Sequence, residues 1–478
     1  MSTPFSRKTF LKLAGTSAAS AFLAACTPAP PAAPVAAPTS APQLTQPPEP
    51  TEAPAATEAP APTPAPAAAS VALEFVMNTS PGWDDAVNKM MGMFMKDHPD
   101  ISIKFTPIDW GQLTIVLPPR FAAKDPPDLL LCDCFWPWVQ QGLVADLNPL
   151  IERDKVDLSL IADVGAGLLG GNPARYGLPF DFTGSVIGYN KTMFDKYGVA
   201  YPKDGWTADD LRNAAIALTR DINDKSPADP GFDASNIKVY GTMLNNPSFW
   251  GPMVKMWGGS LWSEDGKTCT IDSPDALASF EFWNELACKQ HAVYGPQPTA
   301  QAGAADPFVS QLVAMPLEGE WQLALWKDIQ DFDFDVAAWP KGPKAAWQYG
   351  ASDALGIAKD SKSIDASWEF QKYWTYNKDA ALVTGTIMPP ALNDLGLDDS
   401  MLGARVGTRG PTLENVRWAY TNMRMKADGS WYYQGIHAEE WQPVFSEMLT
   451  SILTLCNEPV DPLVPNTAKQ MTEILQKA

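Results

Sequence analysis

The sequence predicts an α/β fold built as two lobes, and three observations carry that expectation. From Val71 onward, short alternating runs of strand-forming residues trade places with segments of helical period, in the order β-α-β-α-β. One of those runs, Asp128–Cys132, is apolar throughout, as suits a parallel strand buried on both faces. The stretch from Val71 to Ala478 is also longer than the ~250–300 residues at which one hydrophobic core stops growing.

Each element has its own signal. Val71–Met77 alternates and opens the fold as a strand; Trp83, Val87, Met90, Met91 and Phe94 fall at helical spacing up to Lys96, and Pro99 ends that helix. Ile101–Phe105 alternates as a second strand. Trp110–Lys124 reads as a helix interrupted at Pro118 and Pro119. Val186–Tyr189 reads as a strand and Lys191–Tyr197 as a short helix closed by Gly198. Thr207 caps a helix from Ala208 to about Asp221, with Asp210 near the positive end of its dipole. Ser273 and Pro274 start another, which carries Leu277, Phe280, Trp283 and Leu286 toward Lys289.

The residues before this folded part read as an address. Arg7, Lys8 and Lys12 precede an apolar run, Leu13–Ala25, too short for a spanning helix, and Leu23-Ala24-Ala25-Cys26 has the small residues a signal peptidase needs before a lipidated cysteine. Residues 1–25 are thus expected to be a signal peptide, with Cys26 the lipidation site. The segment around Arg7 also resembles a twin-arginine signal, with Lys8 in place of the second arginine, so both export routes stay open. Residues 26–70 are almost all Ala, Pro, Thr and Ser, which cannot bury enough apolar surface to fold; they read as a disordered tether whose reach is on the order of 130 Å at ~3.1 Å per residue. The expected location is extracytoplasmic, held by lipid at the outer face of the cell membrane or in the periplasm.

A net charge of −20 makes nucleic acid and anionic membrane surfaces poor partners. Beyond Cys26 stand Cys132, Cys134, Cys269, Cys288 and Cys456, an odd number. With only His98, His291 and His437 to join them, no metal site is expected, and buried free thiols are the plain reading, a Cys269–Cys288 bridge the alternative. No nucleophile elbow, phosphate loop or zinc-protease motif occurs, and no cofactor is expected.

The block Gly188–Val199 followed by Trp206–Leu211, then Met256–Trp262, Phe334–Pro340, Ala354–Ser361 and Ala366–Tyr373, resembles the extracellular solute-binding proteins, family 1, that serve ABC importers, largely for sugars. The resemblance spans nearly all of Val71–Ala478 and implies a two-lobed periplasmic-binding-protein fold, type II-like, with strands crossing between the lobes around a ligand cleft. By that pattern lobe 1 is 71–178 and 351–405, and lobe 2 is 183–348 and 406–478. It further implies a monomeric binding protein, not an enzyme, with permease subunits as partners and an oligosaccharide or polyol as ligand. A surface-anchored glycoside hydrolase, or a binder of a polyamine or peptide, are the alternatives.

Sugars present apolar C–H faces ringed by hydroxyls, so stacking aromatics beside carboxylates suit them, and this chain has 18 tryptophans. Trp83, Asp109 with Trp110, and Asp133 with Trp136 follow the first three strands, at the carboxyl edge where α/β sheets bind ligands; a cap with a packed ring is the alternative for each. The crossings that the resemblance implies fall near 177–182, 347–351 and 405–411; Asp181 lies in the first and Asp353 follows the second. Trp257 precedes two glycines, as a ligand contact or a plain turn. The resemblance gives Trp321, in Gly319-Glu320-Trp321, the place of a sugar-facing tryptophan, and Trp441 a looser match to a late aromatic contact. Trp283, Trp368 and Trp374 read as core.

Overall fold

The computed structural model describes residues 71–80, 82–131, 136–162, 164, 174–296, 305–429 and 437–477, apart from the side chains of Trp110, Gly111, Thr114, Trp136 and Pro137. The expected signal peptide, Cys26 and the tether lie outside the described residues, as do Cys132, Asp133 and Cys134. In chain order the strands are β1 (Val71–Asn78), β2 (Ile101–Ile108), β3 (Leu129–Leu131), β4 (Leu178–Pro179), β5 (Thr183–Asn190), β6 (Arg220–Asp221) and β7 (Ile237–Met243). There follow β8 (Val293–Tyr294), β9 (Val313–Gly319), β10 (Phe334–Ala337), β11 (Gln348–Ala351), β12 (Ala354–Ile357) and β13 (Ala427–Asp428).

The first sheet has the order β2-β1-β3-β12-β4, parallel from β2 to β3 and antiparallel where β12 joins. Helix Trp83–Asp97 turns Trp83, Val87, Met90 and Phe94 into its core, and helix Ile364–Tyr376 adds Trp368, Phe370 and Trp374. The aromatic rings meet at Phe75, 5.9 Å from both Phe370 and Trp374. Helix Trp110–Ala122 runs through Pro118 and Pro119 instead of breaking there. Both prolines sit on its exposed side, where the carbonyls they leave unbonded meet water, while Leu113 and Leu117 stay buried and hold the helix to the sheet.

The second sheet has the order β13-β11-β5-β9-β7-β6, with β10 also on β5 and β8 on β7. Its centre, β5, is buried at every residue. The helix that Thr207 caps is fixed by a reciprocal pair of bonds: Asp210 N–H donates to the Thr207 hydroxyl at 3.2 Å, and Thr207 N–H donates to the Asp210 carboxylate at 2.9 Å. It stops at Leu218, earlier than the pattern suggested, because Arg220 and Asp221 pair with β7. Met401 and Leu402 pack with Tyr420 and Met423 beside this sheet, so the third connection between lobes precedes residue 399 instead of falling at 405–411.

Among the described cysteines the free-thiol reading holds for Cys269 alone, and the Cys269–Cys288 alternative does not hold. Cys288 and Cys456 form a disulfide across a sequence separation of 168, while Cys269 stays a buried free thiol whose pKa burial pushes up to about 12. The bond joins the ends of two helical segments, Glu285–Lys289 and Ser451–Leu455, which distant parts of the chain bring together. Such closure of a long loop restricts the unfolded chain and suits an oxidising compartment. Reduction, or Cys456→Ala, is expected to lower unfolding stability by about 2–4 kcal/mol, read as a lower urea midpoint; an unchanged midpoint would show that the bond constrains nothing.

Candidate functional site

Two extended segments carry the chain between sheets side by side. β4 pairs with β12 in the first sheet and β5 pairs with β11 in the second, so the antiparallel partners Pro179↔Ala354 and Thr183↔Ala351 lie on either side of the crossing. Between them the ladder is completed by a side chain: Asp353 N–H donates to Asp181 Oδ1 at 3.0 Å, and Phe180 N–H donates to the Asp353 carbonyl at 3.1 Å. Residues 389–391 form a third strip against this pair, with Phe182 N–H on the Pro389 carbonyl and Ala391 N–H on that of Phe180.

Two arginines fasten that strip. Arg405 donates to the carbonyls of Gly385, Ile387 and Met401, and Arg424 donates to those of Pro390 and Ala391 and to Asn393. Arg405 also donates through Nε to the Tyr420 hydroxyl at 2.6 Å, and Tyr420 donates to Glu320 Oε2 at 2.7 Å. This buried chain ends one residue from Trp321. Burial pushes the Glu320 carboxyl up to about 7, outweighing the pull of Arg405 and Tyr420 in the other direction. Glu318, also wholly buried, is pushed up to about 7 by the same cause.

In front of the hinge lies a cavity of about 500 Å³ with both lobes in its wall. Asn78 and Ser80 come from the carboxyl end of β1; Thr183 opens β5; Asn246 and Ser248 follow β7; Ile387 and Met388 come from the third connection. Trp321, Gln322, Tyr349 and Asp353 complete its chemistry. Trp321 is partly buried and packs against the cores of both lobes, leaving an aromatic surface to the cavity. Its pose explains the glycine two residues earlier: a Cβ on Gly319 would overlap Cε2 and Cζ2 of the indole, so only glycine lets the ring fold back over the end of β9.

Of the residues singled out from sequence, the structure brings Trp321 and Asp353 together in this cavity. Asp181 stands behind them as a rung of the hinge, 2% exposed. Trp83 and Trp441 do not reach the cleft. Trp83 is sealed against Phe180 and Trp374 in the first core, and Trp441 against Trp262 in the second, because both rings sit on the inward faces of their helices. Trp257 lines a separate cavity of about 510 Å³ on the second lobe, its ring tilted 55° to that of Phe282; there Arg212 covers the Phe282 face and pairs with Asp209. Asp109 is exposed and precedes helix Trp110–Ala122 without capping it. Asp133 and the side chains of Trp110 and Trp136 lie outside the described residues.

Sequence reading passed over Asn78, Ser80, Thr183, Asn246 and Gln322. The rule that ligands meet the carboxyl ends of strands would have found the first two, since β1 ends at Asn78. The same rule covers Asn246, just past the end of β7, whereas Thr183 and Gln322 carry no such signal and are brought there by the hinge and the turn after β9.

The model of the bacterial extracellular solute-binding protein family matches residues 78–381. The chain belongs to that family. Among curated relatives of this solute-binding protein, the maltotriose-binding protein of Pyrococcus abyssi is 24% identical over 333 residues, 66% of each chain. An ABC substrate-binding protein of Listeria monocytogenes, solved in complex with cycloalternan, superposes with a TM-score of 0.69 at 22% identity, covering 86% of this chain and all of that one. UgpB of Mycobacterium tuberculosis, solved with glycerophosphocholine, gives a TM-score of 0.68 at 17% identity over 84% of this chain and 98% of its own. The two-lobed binding-protein fold is therefore established, and the solute-binding protein is not an enzyme.

Two measurements test the site. Gly319→Ala is expected to displace the indole, weakening solute binding at least about tenfold, or about 1.4 kcal/mol, in calorimetric titration; unchanged affinity would separate the ring's pose from binding. The second concerns pH. Because the folded-state pKa of Glu320 lies above its unfolded value, its contribution to stability is complete below the unfolded pKa and is lost as pH rises through about 7. Glu320→Gln should flatten the fall in urea-unfolding stability between about pH 5 and 8 by up to about 1.4 kcal/mol per pH unit, leaving the share due to Glu318; an unaltered slope would assign the whole dependence elsewhere.

Proposed function

We propose that this solute-binding protein captures a carbohydrate, an oligosaccharide or polyol, in the interlobe cavity and hands it to the permease of an ABC importer. The observation that carries the reading is the lining itself. An indole face meets a ring of uncharged hydrogen-bonding groups, Asn78, Ser80, Thr183, Asn246, Ser248 and Gln322, in a space that only the two lobes together enclose. Sugar C–H faces stack on such a ring while hydroxyls exchange hydrogen bonds with amides and hydroxyls at its edge. The cycloalternan complex and the maltotriose-binding relative support the same ligand class.

Lipid on Cys26 would hold the receptor at the membrane while the Pro-rich segment gives it reach, so that its importer meets it at high effective concentration. Among the described residues no helix is long and apolar enough to cross a membrane. The working unit of this reading is a monomer, in keeping with a cavity whose described lining comes from both lobes of one chain.

A thermal-shift screen of the folded part against mono- and oligosaccharides, polyols, amino acids and polyamines tests the reading, because a solute that binds only the folded state raises its melting temperature. Carbohydrate is expected to give the largest shift, and Trp321→Ala to abolish it while moving the unliganded midpoint little. A polyamine or amino acid shift with none from any sugar would overturn the assignment.

A further inference from the structure

Building on the carbohydrate reading, we infer that the cleft sorts solutes by charge, admitting neutral and aminated sugars and rejecting those with carboxylate or phosphate groups, with Asp353 as the residue that sets the preference. Asp353 is the one charged side chain among the described residues lining the cavity, and no lysine, arginine or histidine joins it. The undescribed parts of the folded chain cannot supply one: residues 81, 132–135, 163, 165–173, 297–304, 430–436 and 478 contain no basic residue, while Asp133 and Asp163 would add only negative charge.

The cations behind the wall are committed. Arg405 is 3% exposed, with its guanidinium on Tyr420 and on the carbonyls of Gly385, Met401 and Ile387 and its charge set against Glu320. Arg424 is bound to the carbonyls of Pro390 and Ala391 and to Asn393. Helix Trp83–Asp97, which starts shortly after the cavity-lining Ser80, carries Asp84 and Asp85 in its first turn, which offset the partial positive charge of its N-terminus. Asp181 adds a second carboxylate behind Asp353.

An anionic sugar entering this space would exchange water for a wall with no counter-charge, the situation in which a buried ion is most penalised. A neutral sugar needs only the amides and hydroxyls already present. A protonated amine gains the Asp353 carboxylate, and the overall charge of −20 raises the concentration of cations near the surface while lowering that of anions. The two-lobed scaffold does not dictate this selectivity, since UgpB shares it and was solved with glycerophosphocholine, a phosphodiester.

The test is a thermal-shift comparison of three pools of mono- to tetrasaccharides, one neutral, one aminated, one of uronates and sugar phosphates, followed by calorimetry on the strongest members. Shifts from the neutral and aminated pools with none from the acidic pool are expected. An acidic pool that shifts the protein as much as the others would overturn the charge filter and leave the carbohydrate reading standing; silence from all three would overturn both. Asp353→Asn should narrow the preference for aminated over neutral sugar at least about tenfold, and equal weakening of both would remove Asp353 from the discriminating role. Salt supplies a reading on the unaltered protein. Raising it from about 20 mM to about 500 mM should weaken aminated-sugar binding and spare neutral binding, as expected for an ion pair that salt screens; equal sensitivity of the two would count against the pairing.

Discussion

The structure depends on keeping two hydrophobic cores separate while running one backbone through the gap between them. At the crossing Phe180 and Phe182 are buried in different hydrophobic clusters, water is excluded, and every peptide group between them still needs a partner. The chain meets that demand by continuing one antiparallel ladder from sheet to sheet, with the Asp181 side chain taking the bond that Asp353 N–H would otherwise lose. Arg405 and Arg424 do the same for the carbonyls of the third strip. The cavity is the space that this arrangement leaves.

The polar groups of the hinge and those of the cavity divide the labour. Charges sit behind the wall, buried and matched with one another in the chain from Glu320 through Tyr420 to Arg405. The wall itself offers uncharged donors and acceptors around one indole, with Asp353 the one charged side chain among its described residues. Glu320 and Trp321 are neighbours in sequence but belong to these two different systems, since the short turn Glu320–Gln322 sends one side chain into the hinge and the next toward the solute. A change in the protonation of Glu320 therefore acts on the hinge, next to the ring that lines the cavity.

Elements whose burial follows local periodicity were legible in the sequence. The run from β1 through helix Trp83–Asp97 to β2 and β3 was, and so was the Thr207 cap, because its two residues lie three apart and bond each other. Trp83 illustrates the limit. Helical spacing correctly put Val87, Met90 and Phe94 on one face, yet Trp83 lies on that face too, and its position after a strand outweighed that fact in the sequence reading. Trp321 was found only through resemblance; periodicity says nothing about a ring lying back over a glycine. The disulfide was not legible at all, since its partners are 168 residues apart and meet only once the second lobe has formed. Pro118 and Pro119 misled because helix propensity is local, whereas the packing of Leu113 and Leu117 that overrides it is not.

The order in which the lobes use the chain has a consequence for biogenesis. The second core draws on Ile187 and Leu211 early and on Met471, Ile474 and Leu475 late, and the first sheet waits for β12 at residue 354 although β1 begins at 71. A nascent chain interrupted before β12 has neither lobe closed, and one interrupted before Met471 still lacks part of the second core, so its exposed apolar faces invite misassembly. If translocation proceeds unfolded, the first lobe has all its core residues across the membrane once Leu395 has crossed, whereas the second waits for the final helix, so the two halves of the binding protein become compact in turn.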